Sequence, residues 1–520
     1  MSGSVFRTKA DIYQDAQTFS RLLLALDALY VDTVNTQELT ETALKAMLKE
    51  LDPHSTYLNE EEAKSMTESL GGNFEGIGVT YQMENDTLLV INTVQGGPSE
   101  KVGIMAGDRI VMVNDSTIAG MKFSTREIQR RLRGPKGTHV DIGVMRMGEK
   151  EMIWFDIERD KIPIYSIDAS YMATPEVGYV KVSRFAQTTG EELANAIDQL
   201  TEQGMKDIII DLQGNGGGLV SSAVEMAELF LPGGEMVVYT EGRTDVRRNY
   251  KTRSSRKVFK GRVVVLMDEV SASAAEIFAG CMQDLDRGLI VGRRSYGKGL
   301  VQRPIVLPNN GLVRLTVAHY FTPSGRCIQK PFTKGDKKSY EEDILNRLNA
   351  GELFSSDSIH FNDSLRYLTR AGRVVYGGGG IMPDLFVPLD TMQTSRAHRA
   401  VVAKGTLNRF VINYFKQNQA KLKKQYPKLE DFLSGKFEVS DEMVTALIEQ
   451  ARKDSVKNDS LETLLTNEVF RLQIKATLAN DLYGTGAYAR IMNQIIPAYR
   501  EALALLSDER RYLKLITPTF

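Results

Sequence analysis

Two unbroken apolar runs, Ile208-Ile209-Ile210 and Val263-Val264-Val265-Leu266, constrain this chain more than any other feature. A strand without polar alternation has both faces buried, as in a parallel sheet covered by helices on two sides. Each run is followed by a turn and a helical pattern, "SSAVEMAELFL" after the first and "SASAAEIFAGCMQDL" after the second. "VGYVKVSRF", "GLIVG", "LVQRPIVL" and "GLVRLTVAHYFTP" supply further strands. The alternation implies right-handed crossovers and an α/β core from Ile162 to about Pro388.

The flanks differ in texture. Residues from Lys9 to Met66 read as helical, with "NTQELTETALKAMLKELDP" stopped by Asp52-Pro53. From Gly71 to Asp160, short β-branched segments such as "FEGIGVTYQM", "DTLLVINTV" and "EMIWFDIERD" alternate with turns, and "STREIQRRLRG" supplies one short helix. Lys334–Asp363 is polar and reads as a surface insertion. After Thr394 the chain is largely helical, with "KLKKQYPKLEDF" read as a solvated link. The expected division is a helical region 1–66, a β-rich domain 67–160, an α/β core 161–393 and a helical domain 394–520.

Bulk numbers exclude several classes. Lys+Arg is 65 against Asp+Glu 66 in 520 residues, which argues against nucleic acid as a partner. Two cysteines, Cys281 and Cys327, make neither a disulfide framework nor a zinc site, so no metal or cofactor is expected. No stretch approaches the roughly 18 apolar residues of a membrane span. The opening Met1-Ser2-Gly3-Ser4 shows no export signal and is compatible with a removed one.

The chemistry concentrates at three turns. In "DEVSASAAEIFAG", Ser273-Ala-Ala-Glu276 fits a capping box. The same geometry puts a hydroxyl at a helix N-terminus, where free N–H groups favour developing negative charge. Ser271 could equally be the cap. Any base must come from elsewhere, and of five histidines only His319 lies in a strand of the α/β region. In "GRRSYGKGLVQ", Lys298 sits between Gly297 and Gly299. As a base it must be neutral near pH 7, a shift of roughly three units or about 4 kcal/mol, which burial can supply. A phosphate-loop reading fails on Gly299, which stands where a hydroxyl residue should hold magnesium. In "DLQGNGGGL", four glycines offer backbone N–H groups to an anion; an oxyanion hole is expected from Gly217 or Gly218 with Ala274.

These three motifs, in this order, resemble the carboxy-terminal processing peptidases, the tail-specific serine proteases. The resemblance spans about Asp11 to Pro388. It implies a crotonase/ClpP-like α/β protease core, Ser273 as nucleophile, Lys298 as general base and Gln302 as the residue orienting the lysine. Asp284 stands where other members use an aspartate for that role. "FEGIGV" resembles the carboxylate-binding loop of a PDZ domain, so Gly76, Ile77, Gly78 and Val79 are expected to hold a peptide's terminal carboxylate, the peptide adding as a strand to the sheet edge. The implied partners are protein or peptide substrates with free C-termini, whose capture could gate the site. The implied location is the periplasm or cell envelope, and a homo-oligomer is compatible with the helical ends. Two rivals remain: a non-catalytic PDZ scaffold and a crotonase-like acyl-transfer enzyme.

Overall fold

The computed structural model describes residues 8–84, 86–244, 246–253, 257–390, 395–456 and 460–517. The two apolar runs lie at the middle of a six-stranded sheet. Its order is Ile167–Met172, Val177–Val182, Asp207–Asp211, Val263–Met267, Leu289–Gly292, Leu385–Phe386. The first pair is antiparallel and every later pair parallel. Helices Thr189–Glu202, Val220–Ala227 and Ala274–Asp284 cover one face through Leu193, Ala223, Ile277 and Phe278. The other face is covered by the last two helices, Pro497–Ser507 and Glu509–Ile516, through Tyr499, Ala502, Leu505 and Tyr512. The end of the chain therefore completes the α/β core, while helices between 396 and 492 pack a separate apolar cluster.

That cluster corrects one expectation. "KLKKQYPKLEDF" is not a solvated link: Leu422, Tyr426 and Phe432 are buried in it, while the lysines between them face solvent. Leu422 and Tyr426, at i, i+4, put one apolar face of the helix end into the cluster, and Phe432 returns to it after the break at Pro427.

A second sheet carries the lysine turn. Leu312–Phe321 pairs along one edge with Leu300–Val306 and along the other with Thr56–Leu58 and Met236–Glu241. The N-terminal region, expected to be wholly helical, thus contributes a strand to this sheet, directly after the Asp52–Ser55 turn.

The β-rich region forms an antiparallel sheet in the order Val79–Glu84, Thr87–Thr93, Arg109–Val113, His139–Met145, Ile153–Glu158. Leu88, Val90, Ile110, Ile142, Val144 and Ile157 fill its core. The chain enters on Asn73–Gly76 and leaves on Asp160–Pro163, and these two segments pair antiparallel as a neck. Lys416 of the helical region bonds Glu84 at 3.0 Å across to this sheet. No helix among the described residues is long and apolar enough to cross a membrane.

Candidate active site

The apolar strand Val263–Met267 ends at Asp268, and the turn to the next helix is stitched to the glycine loop by three bonds. Both Asp268 oxygens accept from Gly214 N at 3.0 Å, Ser271 Oγ donates to Leu212 O at 2.8 Å, and Ala272 N donates to Asn215 O at 2.9 Å. Ser271 is fully buried in this work. Ser273, one step on, is partly exposed and opens the helix at φ 56°, ψ −116°. Positive φ in a non-glycine residue is strained and must be held by its surroundings.

Glu276 holds it. Its side chain is completely buried and meets four donors. Oε2 accepts from Ser273 N at 2.8 Å and Lys298 N at 2.9 Å; Oε1 accepts from Ser295 Oγ at 2.5 Å and Gly297 N at 2.7 Å. One carboxylate oxygen thereby clamps the backbones of residues 273 and 298 within a few ångströms of each other. The Tyr320 hydroxyl repeats the clamp from the other side, bonding Ser273 O at 3.2 Å and also Lys298 O. Burial pushes the Glu276 carboxyl up to about 7, against the pull of its hydrogen bonds.

Lys298 lies largely buried on the far side of the clamp. Burial, and then the Arg314 guanidinium, bring its ammonium down to about 8; Glu276 and Asp52 pull the other way. Its Nζ donates to Gln302 Oε1 at 3.1 Å, and no hydrogen bond links it to Ser273. Gln302 also accepts from Arg314 and donates through Nε2 to the His54 carbonyl. Asp284 is elsewhere. It lies about 16 Å along the helix from Ser273 at 1.5 Å per residue, in a fully buried pair with Arg326 at 2.7 Å. His319 is exposed and neighbours Cys327. The residues after Lys298 continue as strand Leu300–Val306, which leaves a phosphate loop without its helix.

The glycine loop lies directly against the serine. Gly217 has φ +94°, and a Cβ there would come 2.7 Å from Ser273 Cβ and 2.8 Å from Ala274 N. Asn215, fully buried, fixes the loop by donating Nδ2 to Val182 O and accepting Gly217 N, both at 2.8 Å. Of the three amides expected as oxyanion donors, that of Gly217 is therefore already engaged.

In the β-rich sheet, Gly76, Ile77, Gly78 and Val79 form the turn into strand Val79–Glu84. Gly78 takes φ +75°, and Ile77 O is fixed by Ser99 N and Oγ at 3.0 and 2.6 Å. Among the described residues that strand pairs with Thr87–Thr93 alone, which leaves its other edge without a strand partner. A cleft of about 1100 Å³ lies between helices Glu60–Gly71 and Thr125–Leu132 and is also lined by Arg314, the residue bonded to Gln302.

Sequence reasoning missed Arg314, Tyr320, Asp52 and His54 as neighbours of the site. Asp52-Pro53 signals a helix stop, and nothing local says that the turn lands on Gln302. Among the described residues, no group of three or more His, Cys, Asp or Glu side chains is placed to hold a metal ion.

Comparison with known proteins bears on the same segments. The signature of Peptidase family S41 matches residues 176–338, that of a PDZ domain matches 76–157, and that of a family of unknown function matches 397–484. Carboxy-terminal processing protease CtpA of Bacillus subtilis is 34% identical over 330 residues, covering 63% of this chain and 70% of the relative. The carboxy-terminal-processing protease of Bartonella bacilliformis is 35% identical over 323 residues, covering 61% and 73%. Among solved structures, a photosystem II D1 C-terminal processing protease shares 27% identity over 60% of this chain and 90% of that one, at a TM-score of 0.34. The three turns thus fall in a chain that belongs to peptidase family S41, as a carboxy-terminal processing serine protease carrying a PDZ domain.

Proposed function

We propose that the protein cleaves peptide bonds by a Ser273–Lys298 mechanism in which Gln302 orients the lysine. The observation carrying this is the double clamp: one Glu276 oxygen holds the amides of Ser273 and Lys298, and one Tyr320 hydroxyl bonds both their carbonyls. Neutral Lys298 takes the Ser273 proton as Oγ attacks the scissile carbonyl. The tetrahedral oxyanion is received by the Ala274 and Gly218 amides, since Gly217 N is held by Asn215. Lys298 then gives its proton to the leaving amine, and water releases the acyl group. In the structure Nζ bonds Gln302 and has no hydrogen bond to Ser273, so proton transfer requires the hydroxyl and the amine to close while Gln302 keeps hold of the amine.

The PDZ domain captures the substrate's C-terminus. The open edge of Val79–Glu84 supports strand addition there, with the Gly76–Val79 turn receiving the carboxylate. The cleft that runs from helix Thr125–Leu132 of this domain to Arg314 supports a route between the domain and the site, through which tail capture would gate turnover. The parallel sheet with its serine helix supports a crotonase/ClpP-like core, and the neck at 73–76 and 160–163 supports an inserted domain within the division 1–66, 67–160, 161–393 and 394–520. A periplasmic or cell-envelope location rests on the family alone, and fractionation tests it. Self-association is supported by helix Lys9–Leu29, which buries none of its residues.

The test is digestion of an unfolded reporter offered with a free or an amidated C-terminus. Cleavage of the free form, reduced by amidation and abolished by Ser273→Ala, is expected. Cleavage that survives Ser273→Ala overturns the assignment, and binding without cleavage favours the scaffold.

A further inference from the structure

Gln302 has neighbours that fix its polarity. The Arg314 guanidinium can only donate and meets Oε1, where the Lys298 amine also donates; the His54 carbonyl can only accept, and it meets Nε2. An amide placed so cannot flip without losing all three bonds. The site of attachment on the accepting side is residue 54, and residue 54 is itself held at three points. Its N–H donates to Asp52 Oδ1 at 2.8 Å, its carbonyl takes Gln302, and its ring Nε2 lies 2.9 Å from the Tyr340 hydroxyl. Asp52 is anchored in turn by Ser55 and by Thr316 Oγ1 at 3.0 Å. Thr316 is the cross-strand partner of Gln302.

Tyr340 belongs to the segment that reads as a surface insertion, yet it is 5% exposed. Its ring meets that of His54 edge-on at 5.1 Å. Its hydroxyl accepts from Gln329 Nε2 at 3.2 Å, and Gln329 Oε1 accepts from Gly299 N at 2.9 Å. The phenol proton can then go to His54 Nε2, 2.9 Å away, with the Tyr296 hydroxyl as its other neighbour. Burial, then the positive charge of Lys298, holds the imidazole near 3, so it is neutral and can accept there with its own proton on Nδ1. The bonds close a ring, from Lys298 through Gln302, His54, Tyr340 and Gln329 back to Gly299, the residue after the lysine.

We propose that His54 and Tyr340 are positioning residues for the peptidase reaction: the Tyr340–His54 bond fixes the carbonyl that aligns Gln302, and Gln302 in turn aims the Lys298 amine. This rests on the Ser273–Lys298–Gln302 reading above. Lysine's four-carbon stem is flexible, so an unaimed amine spends little time in the transfer geometry. The insertion around Tyr340 is thereby part of the active-site frame.

The experiment measures single-turnover acylation with enzyme in excess, which keeps weak variants readable, alongside steady-state kcat and KM and thermal unfolding. Tyr340→Phe keeps the ring and removes the hydroxyl's bond to His54 together with the one it accepts from Gln329, whose amide keeps the Lys330 carbonyl. It is expected to lower kcat and the acylation rate by about three- to tenfold, with KM and Tm little changed. His54→Leu is expected to match it, and His54→Gln, whose amide oxygen can accept from Tyr340, to recover most of the rate. In a Gln302→Ala background, Tyr340→Phe is expected to cause no further fall. Wild-type rates in Tyr340→Phe, a rise in KM in place of the fall in kcat, or a full further loss on top of Gln302→Ala overturns the proposal. Wild-type turnover in Gln302→Ala or Ser273→Ala separately overturns the reading on which it rests.

Discussion

Gly217→Ala puts a methyl group where the structure has none to spare. The added Cβ would lie 2.6 Å from Ala272 O, 2.7 Å from Ser273 Cβ and 2.8 Å from Ala274 N. All three neighbours are backbone or Cβ atoms, so no flexible side chain can swing aside. The glycine's φ of +94° adds about 1–2 kcal/mol for an L-residue, and overpacking adds about 1–3 kcal/mol. The loop is pinned by Asn215 and the serine turn by Glu276, so the strain of about 2–5 kcal/mol is relieved by displacing one against the other. A displacement near 1 Å at a reacting atom costs about a hundredfold in rate. The expected outcome is a kcat/KM at least about a hundredfold lower on a free-carboxylate reporter, with a lowered Tm. Gly216→Ala is the control, since a Cβ there meets nothing within 4 Å; its stability should stay within about 0.5 kcal/mol of the parent. A fully active, fully stable Gly217→Ala enzyme would refute the placement of this loop against Ser273.

Other outcomes follow from the same geometry. With Lys298 near 8, the neutral base is about a tenth of the population at pH 7 and about nine tenths at pH 9, so the rate should climb through that window. Because Arg314 helps depress that value, Arg314→Met should move the limb to higher pH; a shift to lower pH contradicts the electrostatic account. The sign for stability runs the same way. The unfolded lysine keeps its proton to about 10.5, so Lys298 contributes rising stability as pH increases from about 8 toward that value, measurable against Lys298→Met. Asn215→Ala strands Val182 O in the interior and releases the part-exposed Gly217 N, and should cost about 1–3 kcal/mol in denaturant unfolding; an unchanged midpoint would show that the loop does not depend on it.

What the sequence discloses here is local. The apolar run Val263–Leu266 demands cover on both faces, and the helical pattern after Ser273 names one cover. The second, Pro497–Ser507, lies over two hundred residues away, and its amphipathic pattern does not say which surface it fits. Ser273 and Glu276 at i, i+3 predict a capping box. The structure keeps the Glu276-to-Ser273 N–H half and adds Ser295, Gly297 and Lys298, some 20 residues on, which no helix-end rule could supply. Lys298 is legible as a candidate because flanking glycines and a preceding buried strand are adjacent in sequence. Its depressed basicity is not, because that depends on Arg314 and on burial under other segments. His54 and Tyr340 are 286 residues apart, and each looks ordinary alone: one follows a helix stop, the other sits in a polar insertion. The lysine-rich stretch 421–432 misleads for the opposite reason, its charge masking Leu422 and Tyr426 at i, i+4 and, beyond the helix end, Phe432.

The most direct test of the central claim is the intact mass of the enzyme quenched during turnover of an activated peptide ester, followed by peptide mapping. The account predicts an acyl group on Ser273, formed faster as pH rises through about 8 and absent from Ser273→Ala and Lys298→Ala. An acyl group on any other residue, or turnover undiminished in Lys298→Ala, would contradict it.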